Sequence, residues 1–190
     1  LAVTESYGTP LGDVIWMLFG TGDAAGFAAR KPLAAPAGQR WSYSSGTTNI
    51  ISRVLRGAVG GSEADYQLFP RRALFEPLGM TSAIIEPDAA GTFVGSSLMF
   101  ATARDWARFG LLFLQDGTWA GQRILPEGWV AFSVTPAPAA PGGVYGAHFW
   151  LRLGPGTYAP SGDGGLPADA YHAVGHEGQP PDGVLVEHAE

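Results

Sequence analysis

The chain has 190 residues, 46% hydrophobic and 15% charged, a balance that fits a globular domain with a sizeable core and excludes a disordered polymer. A net charge of −6 and a pI near 5.1 exclude a nucleic-acid partner, which needs a concentrated basic face. There is no cysteine, so disulfides, thiolate catalysis and cysteine-ligated metals are ruled out. Ten of the eleven cations are arginines, and Lys31 is the only lysine. No apolar run approaches the ~20 residues of a membrane-spanning helix. The first residues, Leu1-Ala-Val-Thr-Glu-Ser-Tyr7, carry neither an initiator Met nor a basic-then-apolar leader, and read as the middle of a longer protein.

Helices come first along the chain. Asp13 to Phe19 sets Val14, Ile15, Met17, Leu18 and Phe19 on a broad apolar face, and a second piece over Ala24–Ala29 is ended by Pro32. An extended, turn-containing approach over residues 35–43 leads to Tyr43. From Thr47 to Ala58, Ile50, Ile51, Val54 and Leu55 recur as one helical face, closed by Gly57, Gly60 and Gly61. Tyr66 to Leu78 reads as a helix with Pro70 near its start, followed by a turn at Gly79-Met80-Thr81. Thr102, with Asp105 three residues on, resembles a capping box opening Trp106–Leu114, whose buried stripe is Phe109, Leu112 and Phe113. Pro126 stands in the first turn of one more helix. Phe109, Phe113, Trp119 and Trp129 read as core. Beyond Pro136 the character changes: residues 147–153 alternate as a strand, a Gly/Pro-rich stretch follows, and Tyr171–Gly175 is a second strand leading into His176-Glu-Gly. The chain therefore divides into an α-rich segment, 1–135, and the start of an antiparallel sheet, 136–190.

Two short motifs carry chemistry-bearing groups. In Tyr43-Ser44-Ser45-Gly46, a phenol and a hydroxyl two residues apart in an extended stretch point to the same side. Taken alone, the same residues also make a serine-rich turn capping the next helix, with Tyr43 as a core aromatic. In His176-Glu-Gly178-Gln179, a glycine two residues after a polar side chain lets another backbone approach a strand edge. Read alone, His176 is equally an ordinary loop histidine. His148 and His172 lie in apolar strand contexts and read as satisfied structural histidines. No two histidines stand at i, i+4 on a helix, so neither a metal nor a cofactor is expected.

Order and spacing add a resemblance. Tyr-Ser-x-Gly, a helix, Pro-Leu-Gly-Met, a Thr-Ala-Arg-Asp helix start and His-x-Gly together resemble the serine β-lactamase, penicillin-binding-protein and esterase family. The segments that carry it are Trp41–Asn49, Leu74–Thr81, Gly95–Leu114, Gly117–Pro126 and Ala173–Gln179. Tyr-x-Ser and His-x-Gly look closer to 6-aminohexanoate-dimer hydrolases and esterase-like members than to true β-lactamases. The resemblance implies an α+β, DD-peptidase-like (transpeptidase-like) fold, here truncated. It also implies amide or ester hydrolysis of a small molecule through an acyl-enzyme. Under it Tyr43 is the general acid/base, Ser45 its hydrogen-bonding companion and His176 a substrate-orienting donor. Gly178 keeps the strand edge open, and the Gln179 N–H supplies half of an oxyanion hole.

The family's nucleophile lies in a Ser-x-x-Lys motif, and here the residue three before Lys31 is Ala28. Without a cationic neighbour, holding a phenol of pKa about 10 as phenolate at pH 7 costs about 4 kcal/mol. After Gln179 the chain reads Pro180-Pro-Asp-Gly-Val-Leu-Val186 where two long strands are expected, and Val184–Val186 is too short to replace them. The expectation is a partial serine hydrolase, inactive alone, from a truncation, frameshift or partial read. The alternatives are a non-catalytic peptidoglycan- or peptide-binding homologue and a non-functional truncated product. Family members are often exported, but neither location nor oligomeric state is legible in these residues.

Overall fold

The computed structural model describes residues 3–8, 11–151 and 169–175, and the backbone of 184–186. The chain forms two compact units, Leu1–Arg72 with Ser82–Phe100, and Ala73–Thr81 with Ala101–Glu190.

The first unit is built on helices α1 (Asp13–Ile15), α2 (Ala24–Ala29), α3 (Ser45–Val59) and α4 (Glu63–Pro70), with a short antiparallel pair β1 (Ile84–Ile85) and β2 (Met99–Phe100). Its core gathers Val3, Val14, Met17, Ala24 and Ala28, with Tyr7, Phe27 and Ile50 packed against them. Of the expected face on the first helix, Val14 and Met17 are fully buried, whereas Phe19 is exposed. The winding opens after Ile15 into a π-helical turn, Trp16–Gly20, which rotates Phe19 off the face that a 3.6-residue period assigns it. Asp23 caps α2 by accepting the Gly26 N–H at 2.7 Å, and the same carboxylate pairs with Arg53 of α3.

Helix α3 corrects the sequence expectation. It begins at Ser45, two residues early, and the face it buries is Ser45, Gly46, Asn49 and Ser52. Ile50 is partly buried, but Ile51, Val54 and Leu55 are exposed, Val54 by 66%. Closeness decides this orientation. A Cβ on Gly46 would stand 2.7 Å from Val3 Cγ2 and 3.1 Å from the Ala28 Cβ, so only glycine admits that approach. Asn49 then donates internally to Ser96 Oγ at 3.1 Å, while its buried Oδ1 has no hydrogen-bond partner among the described residues.

Helix α4 starts three residues before Tyr66 because Ser62 and Asp65 form a capping box: Ser62 Oγ accepts the Asp65 N–H at 3.2 Å, and Asp65 Oδ2 accepts the Ser62 N–H at 3.0 Å. Pro70 closes this helix and does not open it. Lacking an N–H, it cannot continue the ladder, and the chain passes into a π-helical turn, Arg71–Phe75.

In the second unit α5 (Glu76–Leu78) ends at Gly79, whose φ of 68° is left-handed. Thr102 opens α6 (Ala103–Leu114) as expected, its Oγ1 accepting the Asp105 N–H at 3.4 Å. A hairpin of β3 (Thr118–Trp119) and β4 (Gln122–Arg123) follows, then α7 (Trp129–Ser133). The core here is Phe113, Val130, Phe149 and Tyr171, with Phe109 beside them. Phe113 lies 4.9 Å from Phe149, which meets Tyr171 edge-on at 5.4 Å. Three expectations fail locally. Pro126 precedes α7 by a turn, and Trp129, expected in the core, is exposed and stacks on Phe132. Among the described residues no strand runs from residue 147, because His148 turns left-handed at φ 68° and only single bridges, Tyr145 to Trp150 and Trp150 to His172, remain there.

The expected strand at Tyr171 is present as β5 (Tyr171–Ala173). It pairs antiparallel with β6 (Val184–Val186), in register Tyr171 to Val186, and β6 runs against α6. His172 is 5% exposed, yet neither ring nitrogen has a hydrogen-bond partner among the described residues, so it is a buried but not a satisfied histidine. The described residues thus make an α+β fold of helices and small antiparallel pairs.

Candidate active site

Tyr43 closes the extended approach to α3, and Ser44 is the turning point. With φ −154° and ψ 111° Ser44 is still extended, and its Oγ accepts the Thr47 N–H at 3.4 Å as the N-cap. Ser45 is already the first residue of the helix. The two side chains are therefore related by the entry into a helix, not by the alternation of an extended strand. Tyr43 is 41% exposed, while Ser45 is 5% exposed.

What surrounds Ser45 comes from 40 residues away. Glu5 Oε1 accepts the Ser45 backbone N–H at 2.6 Å, and Glu5 Oε2 accepts the Ser45 hydroxyl at 3.0 Å. The same Oε2 accepts the Tyr7 hydroxyl at 3.1 Å, and the two hydroxyl oxygens of Tyr7 and Ser45 stand 3.4 Å apart. Glu5 and Tyr7 escaped the sequence reading. The signal was there: an acid and a phenol two residues apart, the spacing that puts side chains on one side of an extended chain.

The electrostatics of this cluster are one-sided. Burial, and then the Glu5 charge, push the Tyr43 phenol above its ordinary value. Burial likewise pushes Tyr7 up to about 12; the Ser45 hydrogen bond works against that shift, and Glu5 adds to it. Both phenols hold their protons at neutral pH. The one lysine is engaged elsewhere in the first unit: Lys31 Nζ binds Asp13 Oδ1 at 2.6 Å and lies 4.8 Å over the Phe27 ring. The Asp13 carboxyl is held below its ordinary value chiefly by that lysine. The cluster offers a part-exposed proton donor in Tyr43, and it acts as a base only where a cation is brought to it.

His176, Gly178 and Gln179 lie outside the described residues. Among the described residues, no three His, Asp or Glu side chains gather as metal ligands, and no helix is long and apolar enough to cross a membrane.

Comparison with known proteins agrees with the order of motifs. The family model for β-lactamases matches residues 4–186. No curated protein matches the chain. Among solved structures it is similar to a proposed 6-aminohexanoate-dimer hydrolase from Bacillus anthracis at 22% identity and a TM-score of 0.62, over 94% of this chain and 41% of that one. It is also similar to a proposed β-lactamase from Bacteroides dorei at 19% identity and a TM-score of 0.57, over 77% of this chain and 46% of that one. At these identities the likeness speaks for the fold, and the chain spans less than half the length of either neighbour. With the family model running through almost every residue, the Tyr-Ser-Ser turn and α3 included, the chain belongs to the β-lactamase family.

Proposed function

We propose that these residues are the Tyr-x-Ser part of a serine hydrolase that cleaves amide or ester bonds of small molecules through an acyl-enzyme. The observation that carries this reading is the Tyr43 phenol: part-exposed at the entry of α3 and held protonated beside the Glu5–Ser45–Tyr7 network. In the reaction a serine hydroxyl adds to the carbonyl and loses its proton. The proton passes by way of Tyr43 to the leaving nitrogen or oxygen, and water then hydrolyses the acyl-enzyme to release the acid. The role of Ser45 as the hydrogen-bonding companion of Tyr43 rests on the Tyr-x-Ser resemblance, while its hydroxyl donates to Glu5. The roles of His176 as an orienting donor, of Gly178, and of the Gln179 N–H as an oxyanion donor rest on the His-x-Gly resemblance alone.

The nucleophile is no part of these 190 residues. No Ser-x-x-Lys is present, and the single lysine is tied to Asp13. On this reading the chain by itself is expected to be inactive. The experiment is turnover of a p-nitrophenyl ester and a matching anilide by the full-length protein as its gene encodes it, beside Tyr43→Phe. The variant is expected to lose about 10²–10⁴-fold in kcat while folding normally. Turnover unchanged in Tyr43→Phe removes Tyr43 from the chemistry. Thermal stabilisation by peptidoglycan-like peptides with no turnover of either substrate by the wild type replaces the hydrolase with a binding protein.

A further inference from the structure

Three oxygen atoms meet at the start of α3 with two protons between them. Glu5 Oε2 is the only one without a proton of its own, and it stands 3.0 Å from the Ser45 hydroxyl and 3.1 Å from the Tyr7 hydroxyl. Its sister oxygen takes the Ser45 N–H at 2.6 Å. This is more than helix capping, because Ser44 already supplies the N-cap bond to Thr47. A carboxylate that accepts both the backbone and the side-chain proton of one serine fixes that side chain in a single orientation.

We propose that Glu5 is a positioning residue for the Tyr43–Ser45 element: it commits the Ser45 hydroxyl proton inward and leaves Ser45 Oγ able only to accept. The inference rests on the reading of Tyr43 and Ser45 as a proton-handling pair. Its chemical consequence is directional. Ser45 receives a hydrogen bond from a hydroxyl or an N–H, and it has no proton to give to a carbonyl. The Glu5 charge also acts on both neighbouring phenols, opposing their ionisation in addition to burial.

Replacing the carboxylate by an amide reverses these consequences while keeping the shape. In Glu5→Gln the side chain has one acceptor and an NH₂ that donates, so the Ser45 proton is released and the charge beside the phenols is gone. The test is ¹³C-tyrosine NMR titration of the full-length protein, with Tyr7→Phe and Tyr43→Phe to assign the signals, in wild type, Glu5→Gln and Glu5→Asp. Glu5→Gln is expected to lower the pKa of both Tyr7 and Tyr43 relative to wild type. Glu5→Asp is expected to keep part of the shift. In the same proteins kcat on an ester or anilide is expected to fall by about 10²-fold in Glu5→Gln with little change in KM, and to recover in part in Glu5→Asp.

A folded Glu5→Gln whose two phenols titrate as in wild type overturns the proposal. If Glu5→Gln does not fold, a Glu5→Asp protein whose two phenols titrate as in wild type overturns it instead. A wild type that turns over neither substrate defeats the hydrolase reading, while the tyrosine titration still decides the role of Glu5.

Discussion

Around Tyr43 the surroundings favour the protonated phenol, since burial and Glu5 act in the same direction and the one lysine is committed to Asp13. The same physics acts on a second residue with a measurable consequence. His172 is buried in β5 with neither ring nitrogen partnered among the described residues, and burial lowers its pKa from the ordinary 6.5. The native state therefore holds a neutral imidazole, while the unfolded chain takes up a proton as the pH falls below 6.5. The stability this histidine contributes is fully present above that value and is lost as pH falls towards the lower folded pKa. The melting temperature is expected to drop between about pH 7.5 and pH 5.5, a range above the titration of the ion-paired carboxylates Asp13 and Asp23, whose pKa values are lowered. In His172→Phe that slope is expected to flatten; an equal slope in both proteins, followed by circular dichroism, contradicts the assignment.

Helix α3 shows what periodicity can and cannot tell at the level of an element. The apolar repeat of Ile50, Ile51, Val54 and Leu55 correctly announces a helix, yet the helix buries Gly46, Asn49 and Ser52. The side chains that decide the orientation lie on other segments. Val3 and Ala28 leave room for a glycine and nothing larger, and Ser96 supplies the partner for Asn49. Gly46→Ala is expected to destabilise the protein by about 1–3 kcal/mol through overpacking, even though alanine is the better helix former by about 1 kcal/mol. Val54→Gln is expected to stay within about 0.5 kcal/mol of wild type. Urea unfolding of the two variants checks both, and the reverse order would restore the face suggested by the sequence. Elements fixed by local chemistry were easier to read. The Thr102–Asp105 cap sits where the four-residue pattern puts it, and the break after Ala29 matches Pro32. The strand expected from residue 147 fails for a backbone reason, the left-handed turn at His148, that alternation does not reveal.

Across the whole molecule, family membership was legible because several motifs recur in order, and the family model spans residues 4–186. The candidate site was legible only in part. Tyr43 and Ser45 stand out as a motif, but Glu5 and Tyr7 join them only through contacts spanning about 40 residues, which no local pattern encodes. The chain covers 41% and 46% of the two solved neighbours, and it contains Tyr43, the proposed acid/base, without a Ser-x-x-Lys. Labelling with a fluorophosphonate, read by peptide mass spectrometry, tests this separation most directly. In the full-length protein the adduct is expected on the serine of a Ser-x-x-Lys motif outside these 190 residues, and the 190-residue chain alone is expected to stay unlabelled. An adduct on Ser45, or on any other serine of this chain, contradicts the account.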